Sequence, residues 1–147
     1  MKKTIHRLYT DGGSRGNPGQ AAWGFILCDN GRISEEHAGY MNDHSTNNEA
    51  EYMALIMGLD YISKHRSGVK ALKCYSDSRL IVNQLNGKWR IKEPRLRAYH
   101  DKIVVLMQQF SKVTFKWIPR NHKRIKYADM LVNQILDEKL MLDMNVG

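Results

Sequence analysis

The chain has 147 residues, 42% hydrophobic and 26% charged, the balance of an ordinary globular protein with length for one domain, expected over 1–147, and a real core. It has no run of 18 apolar residues, and Met1–Arg7 is basic without an apolar stretch behind it, which excludes a transmembrane helix and argues against a secretory leader. Cys28 and Cys74 lie in apolar, strand-like contexts and make neither a disulfide framework nor a zinc site, so buried reduced thiols in a cytoplasmic monomer are expected.

The first strand is the run containing Ile5, Leu8, Tyr9 and Thr10, ending at Asp11-Gly12-Gly13. Two glycines predict a sharp turn there, with the Asp11 carboxylate left at a strand end; Asp-Gly is also the commonest hairpin signal, so the pair alone does not mark a site. After a Gly12–Gly19 loop, Ala21–Cys28 reads as a second strand. Asp29-Asn30-Gly31 then turns the chain into a third strand, Arg32–Tyr40. A polar loop, Asn42–Asn48, leads to a long helix whose apolar face is Ala50, Met53, Ala54, Met57, Tyr61 and Ile62. Thr46, Asn47 and Asn48 are cap candidates, Glu49 and Glu51 fall in the first turn, and Lys64, His65, Arg66 and Gly68 close the helix.

Ala71–Ser76 is a strand stopping at Asp77, followed by a short helix, Ser78–Leu85, closed by Asn86-Gly87. Pro94 opens a helix to about Phe110 with Leu96, Tyr99, Ile103, Leu106 and Phe110 inward. Val113–Ile118 is the last strand, ended by Pro119, and a final helix spans roughly Tyr127 to Leu140, with Asp143–Gly147 expected to fray. The order β-β-β-α-β-α-α-β-α implies an α/β fold, a mixed sheet with helices on its faces.

Net charge is +8 with a pI near 9.6, which favours polyanionic partners. Lys88, Arg90, Lys92, Arg95, Arg97, Lys112, Lys116, Arg120, Lys123, Arg124 and Lys126 meet only Glu93 and Asp101 between them. Trp89 and Trp117 sit within this basic run, as aromatic side chains do on nucleic-acid surfaces.

Against that background the acids stand out. If the fourth strand runs parallel to the first, Asp11 and Asp77 lie together at the carboxyl end of the sheet, where α/β sheets bind ligands. Asp129, at the start of the last helix, and an acid of the long helix's first turn can reach the same place. Spacing does not choose between Glu49 and Glu51. Clustered carboxylates without cysteine or paired histidine form an oxygen-only site suited to Mg²⁺ or Mn²⁺, the cations of two-metal phosphodiester hydrolysis.

Four segments together, Thr10–Gly19 (TDGGSRGNPG), Thr46–Tyr52 (TNNEAEY), Tyr75–Ser78 (YSDS) and Ala128–Leu131 (ADML), strongly resemble type 1 ribonuclease H, in order and over nearly the whole chain. The resemblance implies a five-stranded ribonuclease H-like sheet in the order 3-2-1-4-5. It also implies Mg²⁺-dependent endonucleolytic cleavage of the RNA strand of RNA–DNA hybrids, leaving 5′-phosphate and 3′-hydroxyl ends, with two ions bound alongside substrate. The metal-binding, catalytic acids it implies are Asp11, Glu51, Asp77 and Asp129; it is the family motif that selects Glu51 over Glu49. Asn17, Thr46, Asn47 and Asn48 match hybrid-contacting positions, with Gln84 a candidate for the same surface; turn and cap roles fit these residues as well.

Two departures stand out. The basic protrusion that many members carry after the second helix is missing, as in the compact subgroup, with Lys88, Trp89, Arg90 and Lys92 a partial substitute. The flexible histidine that some members carry before the last acid would here be His122, which is otherwise a surface residue. Rival readings are a nucleotide-handling enzyme of the actin and sugar-kinase type, which needs two domains, and a non-enzymatic nucleic-acid-binding module, which needs no four acids. A further rival is another nuclease or strand-transferase of the same fold.

Overall fold

The first half of the chain forms an antiparallel meander, β1 (His6–Arg15), β2 (Gly19–Asp29) and β3 (Arg32–Ser45), with long buried runs in β1 and β2 and a more exposed β3. A computed structural model describes residues 3–145, and in it the meander is followed by α1 (Asn47–His65), β4 (Ala71–Ser76), α2 (Arg79–Leu85), α3 (Pro94–Met107), β5 (Lys112–Trp117) and α4 (Lys123–Asn145). The five strands form one sheet in the order β3-β2-β1-β4-β5. The β1–β2 and β2–β3 pairs are antiparallel, and β1–β4 and β4–β5 are parallel. The α/β class and the 3-2-1-4-5 order agree with the expectation.

Helices cover both faces. On one, Leu8, Phe25, Leu27 and Leu72 pack with Tyr52, Leu55, Leu59 and Ile62 of α1 and with Leu96 and Ile103 of α3. On the other, Tyr9, Ile26 and Cys28 meet Ile125 and Ala128 of α4. Ala22 meets Val132 and Leu136. Each fully buried Leu or Ile contributes roughly 1.5–3 kcal/mol. Both cysteines are free and buried.

Several expected boundaries move, each for a physical reason. Gly12-Gly13 is not a turn: β1 continues through it, pairing residue by residue with β2 from His6↔Asp29 to Arg15↔Gln20. The turn lies three residues later, where Gly16 takes φ +87°. What Gly12 supplies is space, because a Cβ there would stand 2.2 Å from the backbone carbonyl of Ala50 and 2.6 Å from the Glu51 nitrogen. β3 likewise runs on to Ser45, taking in part of the expected polar loop.

α3 ends at Met107, with Phe110 buried just beyond it. α4 starts at Lys123 rather than near Tyr127, because its buried stripe begins at Ile125 and continues through Ala128, Val132 and Leu136 at helical spacing. Asp143–Asn145 belong to this helix, with Asp143 accepting from Gln20 at 2.7 Å, so that part of the tail does not fray. Val146 and Gly147 lie outside the described residues.

We expect Gly12→Ala to destabilise the fold by about 3 kcal/mol, the upper end for forced overpacking, since the obstacle is backbone. Gly13→Ala, whose Cβ would find Val132 Cγ1 at 3.8 Å, should change stability by less than about 1 kcal/mol. Urea denaturation of both variants checks this; equal effects would remove the close approach as the reason for Gly12.

Candidate active site

The site lies where β1 and β4 part. Their parallel ladder ends at Tyr9↔Tyr75, and Asp11 and Asp77 each stand two residues further on, Asp11 within β1 and Asp77 just past the end of β4. β1 has an antiparallel neighbour on one side and a parallel one on the other, so this is the switch point at which open α/β sheets present a crevice.

Glu51 arrives from the opposite layer. α1 is capped by Thr46, whose Oγ1 accepts from Glu49 N–H at 3.1 Å while the Glu49 carboxylate accepts from Thr46 N–H at 3.1 Å. Two residues along a helix are about 200° apart, so Glu49 and Glu51 face opposite ways. Glu49 is buried against α3, accepting from Tyr99 Oη at 3.3 Å with Arg95 at 3.8 Å. The Ala50–Glu51 backbone passes over the bare Cα of Gly12, which sets the Gly12 N–H where it opposes the upward shift of the Glu51 carboxyl.

Carboxylate oxygens of Asp11, Glu51 and Asp77 lie within 4.8 Å of one another. Asp129 lines the same cleft from the second turn of α4, alongside Asp11 but outside that three-residue cluster. Its carboxylate accepts from Asn133 Nδ2 at 3.2 Å. All four predicted acids are therefore brought to one cleft, three of them in mutual contact range.

Burial, then the neighbouring Asp77 and Asp129 carboxylates, pushes Asp11 up to about 8. Burial first, then Asp11 and Asp77, raises Glu51 well above the ordinary carboxylate range against the pull of the Gly12 N–H. Asp77 is raised by burial and by Asp129 and held down by Arg120. Among the described residues, Glu51 Oε2 is buried without a hydrogen-bond partner. An orphaned carboxylate oxygen inside an all-oxygen cluster fits a hard divalent cation. Asp11, Glu51 and Asp77 would hold it, with Asp129 at its edge.

The predicted substrate residues separate into groups. Asn17 and Asn47 clamp the β1–β2 turn to the start of α1: Asn47 N–H donates to Asn17 Oδ1 at 3.0 Å, and Ser14 N–H donates to Asn47 Oδ1 at 2.8 Å. Asn47 and Asn48 line the acid cleft, and Thr46 is the helix cap. Gln84, Lys88 and Trp89 line a second hollow with Arg90, Lys92 and Leu96. Within it Gln84 is buried and accepts from Tyr52 Oη at 2.6 Å, whereas Trp89 is 48% exposed. α2 and α3 are joined by residues 86–93 without an intervening helix, in keeping with the missing protrusion.

His122 does not line the acid cleft. Its ring stacks on Tyr9, centroids 5.4 Å apart, and its Nδ1 accepts from Arg124 N–H at 3.1 Å. Trp117, grouped by sequence with the basic surface, is half-buried; its indole N–H donates to the Asp77 carbonyl at 3.0 Å and Arg79 lies 3.9 Å over its ring. It positions Asp77 instead of offering a free stacking face.

Cleft residues that sequence reasoning did not assign to the site include Arg15, Ser78, Arg120 and Asn133. Asn133 is four residues after Asp129, legible once the helix is placed, and Arg120 follows Pro119 at the same carboxyl end of the sheet as Asp77. Arg15 is aimed by Asp137 at 2.7 Å, a contact across the fold that no local pattern announces.

Because the folded chain holds the Asp11 proton above its ordinary 3.8, this group's contribution to the stability of the metal-free fold is fully present below about pH 4 and is lost as pH rises towards 8. Asp11→Asn is expected to raise the Tm by several degrees at pH 8 in chelator and to change it little at pH 4. Excess Mg²⁺ should raise the Tm of the native chain more than that of the variant. A variant less stable than the native chain at pH 8 would show that Asp11 is not under carboxylate repulsion.

A sequence model of the reverse transcriptase-like family matches residues 9–135. The "Bifunctional protein Rv2228c" of Mycobacterium tuberculosis is 38% identical over 132 residues, 88% of this chain and 35% of that protein. The "Ribonuclease HI" of Halobacterium salinarum is 36% identical over 132 residues, 88% of this chain and 63% of that one. The chain thus spans about a third and somewhat under two thirds of these relatives' lengths. Among solved structures, LC11-RNase H1, isolated from compost by a metagenomic approach and crystallised with an RNA/DNA hybrid, superposes with TM-score 0.84 at 36% identity, covering 92% of this chain and 99% of that one. Four acids at one switch point, the sheet order and these likenesses agree: the chain belongs to the type 1 ribonuclease H family.

Proposed function

We propose that the protein is an endoribonuclease that hydrolyses the RNA strand of RNA–DNA hybrids, leaving 5′-phosphate and 3′-hydroxyl ends. The observation that carries this reading is the convergence of Asp11, Glu51 and Asp77 within 4.8 Å, with Glu51 Oε2 buried and unpartnered among the described residues. Repelling carboxylates in a basic chain make chemical sense where cations join them to a polyanion. The complex of LC11-RNase H1 with an RNA/DNA hybrid supports the substrate class. Two divalent ions, Mg²⁺ with Mn²⁺ as substitute, would supply a water-derived nucleophile and stabilise the leaving oxygen.

The chain's own residues orient and exclude. Asp11 and Asp77 define the cleft floor, and the Gly12 N–H favours the charged Glu51 carboxylate beside them. Asn133 steadies Asp129, and Arg120 sets a positive charge beside Asp77 where phosphate would lie. Asn17 and Asn47 spend their side-chain oxygens on the turn-to-helix clamp, which leaves their NH₂ groups to donate to the RNA minor-groove edge and 2′-hydroxyls. Asn48 faces the same cleft and Thr46 keeps the helix start in place. Lys88 and Trp89, with Arg90 and Lys92, would help grip the hybrid in place of a protrusion. His122, with Nδ1 engaged by Arg124 N–H, carries its neutral-state proton on Nε2 and would serve as a proton relay outside the acid cluster.

A labelled hybrid assayed beside single-stranded RNA, double-stranded RNA and double-stranded DNA tests the reading. RNA-strand cleavage of the hybrid in Mg²⁺ or Mn²⁺, absent in chelator, is expected; its absence under every metal condition sinks it. Asp77→Asn should lose at least about a thousandfold in turnover while hybrid binding persists. His122→Ala should lose about tenfold, below the range of a direct general acid or base.

A further inference from the structure

On the α4 side of the sheet, the part formed by β4 and β5 is left largely uncovered. α4 packs on β1, β2 and β3, whereas α2 lies against β4 and β5 from the opposite side. The outward positions left open are Lys73 and Tyr75 on β4 and Lys112, Thr114 and Lys116 on β5, with Arg7 of β1 beside them. Lys73, Lys112, Thr114 and Lys116 are exposed, and Arg7 and Tyr75 partly buried, Tyr75 packing against the Tyr9–Ile125–Ala128 cluster at the border of the open patch.

Alternation explains why polar residues point outwards here, but not why every charge is positive. Register places Arg7 directly beside Lys73, and Lys73 beside Thr114, on strands about 4.8 Å apart. Like charges facing one another across strands destabilise a sheet. Among the described residues none of these four cations is ion-paired. Lysines on the edge strand β5 discourage edge-to-edge pairing, but Arg7 and Lys73 stand on interior strands with no free edge to guard. Between the cations, Tyr75 stacks on Tyr9 at 5.1 Å and lines a shallow hollow with Lys73, Thr114 and Lys116. Cations spaced along a flat sheet around a partly exposed aromatic ring suit a single strand, whose phosphates track the charges and whose bases stack.

We propose that the open face of β4 and β5, with Arg7, is a second nucleic-acid site that binds a single-stranded polynucleotide apart from the hydrolytic cleft. It goes beyond the hydrolysis reading and does not depend on it, because the test requires no cleavage.

The Asp11→Asn chain, in chelator, is titrated into labelled oligothymidylate of about 15 nucleotides and followed by fluorescence anisotropy. Adding Lys73→Glu and Lys116→Glu should weaken binding at least about tenfold. It should also flatten the dependence of log affinity on log salt by about 1.4, two contacts at roughly 0.7 each. RNA–DNA hybrid affinity should change by less than about twofold. Lys64→Glu with Lys102→Glu, the same charge change on the helix-covered side, is the control for net charge. Circular dichroism and Tm confirm folding of each variant. Unchanged oligothymidylate affinity, or an equal loss in the control pair, overturns the site. An equal loss for duplex DNA overturns the single-strand assignment.

Discussion

Mutual repulsion among buried carboxylates is the constraint around which the structure is arranged. Asp11, Glu51 and Asp77 crowd within 4.8 Å, and burial together with neighbouring carboxylate charge, for Asp77 that of Asp129, raises the proton affinity of each. Such a cluster persists only because rigid elements deliver each acid separately. Two come from strands at the end of a shared parallel ladder, one from a capped helix, and Asp129 from a second helix on the other face. Stability is given up locally for a geometry that a cation can complete, a trade typical of functional sites.

The close approach of α1 to β1 sets that geometry. Gly12 admits the Ala50–Glu51 backbone, and the Thr46–Glu49 capping box fixes where the helix begins. The Asn17–Asn47–Ser14 clamp ties the hairpin turn to the same helix start. Residues matched by sequence to substrate contact therefore also hold the site together.

Charge is distributed with equal consequence. A chain of net charge +8 gathers its acids at one cleft and leaves cations around it: Arg120 beside Asp77, Lys88 and Arg90 by the exposed Trp89, and a lysine-bearing sheet face beyond. The acids repel a polyanion that the rest of the surface attracts, and a divalent cation reconciles the two.

Much of this was legible in the sequence, because the signals are local. Hairpin turns, capping residues and the two periodicities gave the element order, and the ordered motifs gave the family and the four acids. The misreadings arose where a residue's role depends on a distant partner. Gly12-Gly13 read as a turn, since nothing nearby shows that a helix some forty residues later presses on it. Glu49 and Glu51 were equivalent by composition, and only the placement of α3 makes the first a buried structural acid. Trp117 looked like a surface aromatic until its N–H was found on the Asp77 carbonyl, and Gln84 until Tyr52 was found on it. By itself the sequence determined which groups exist and which local elements carry them, because propensity and periodicity act over a few residues. Which acids meet, which glycine must stay bare and which part of the sheet stays uncovered were decided by tertiary packing, because those depend on distances between segments far apart in the chain.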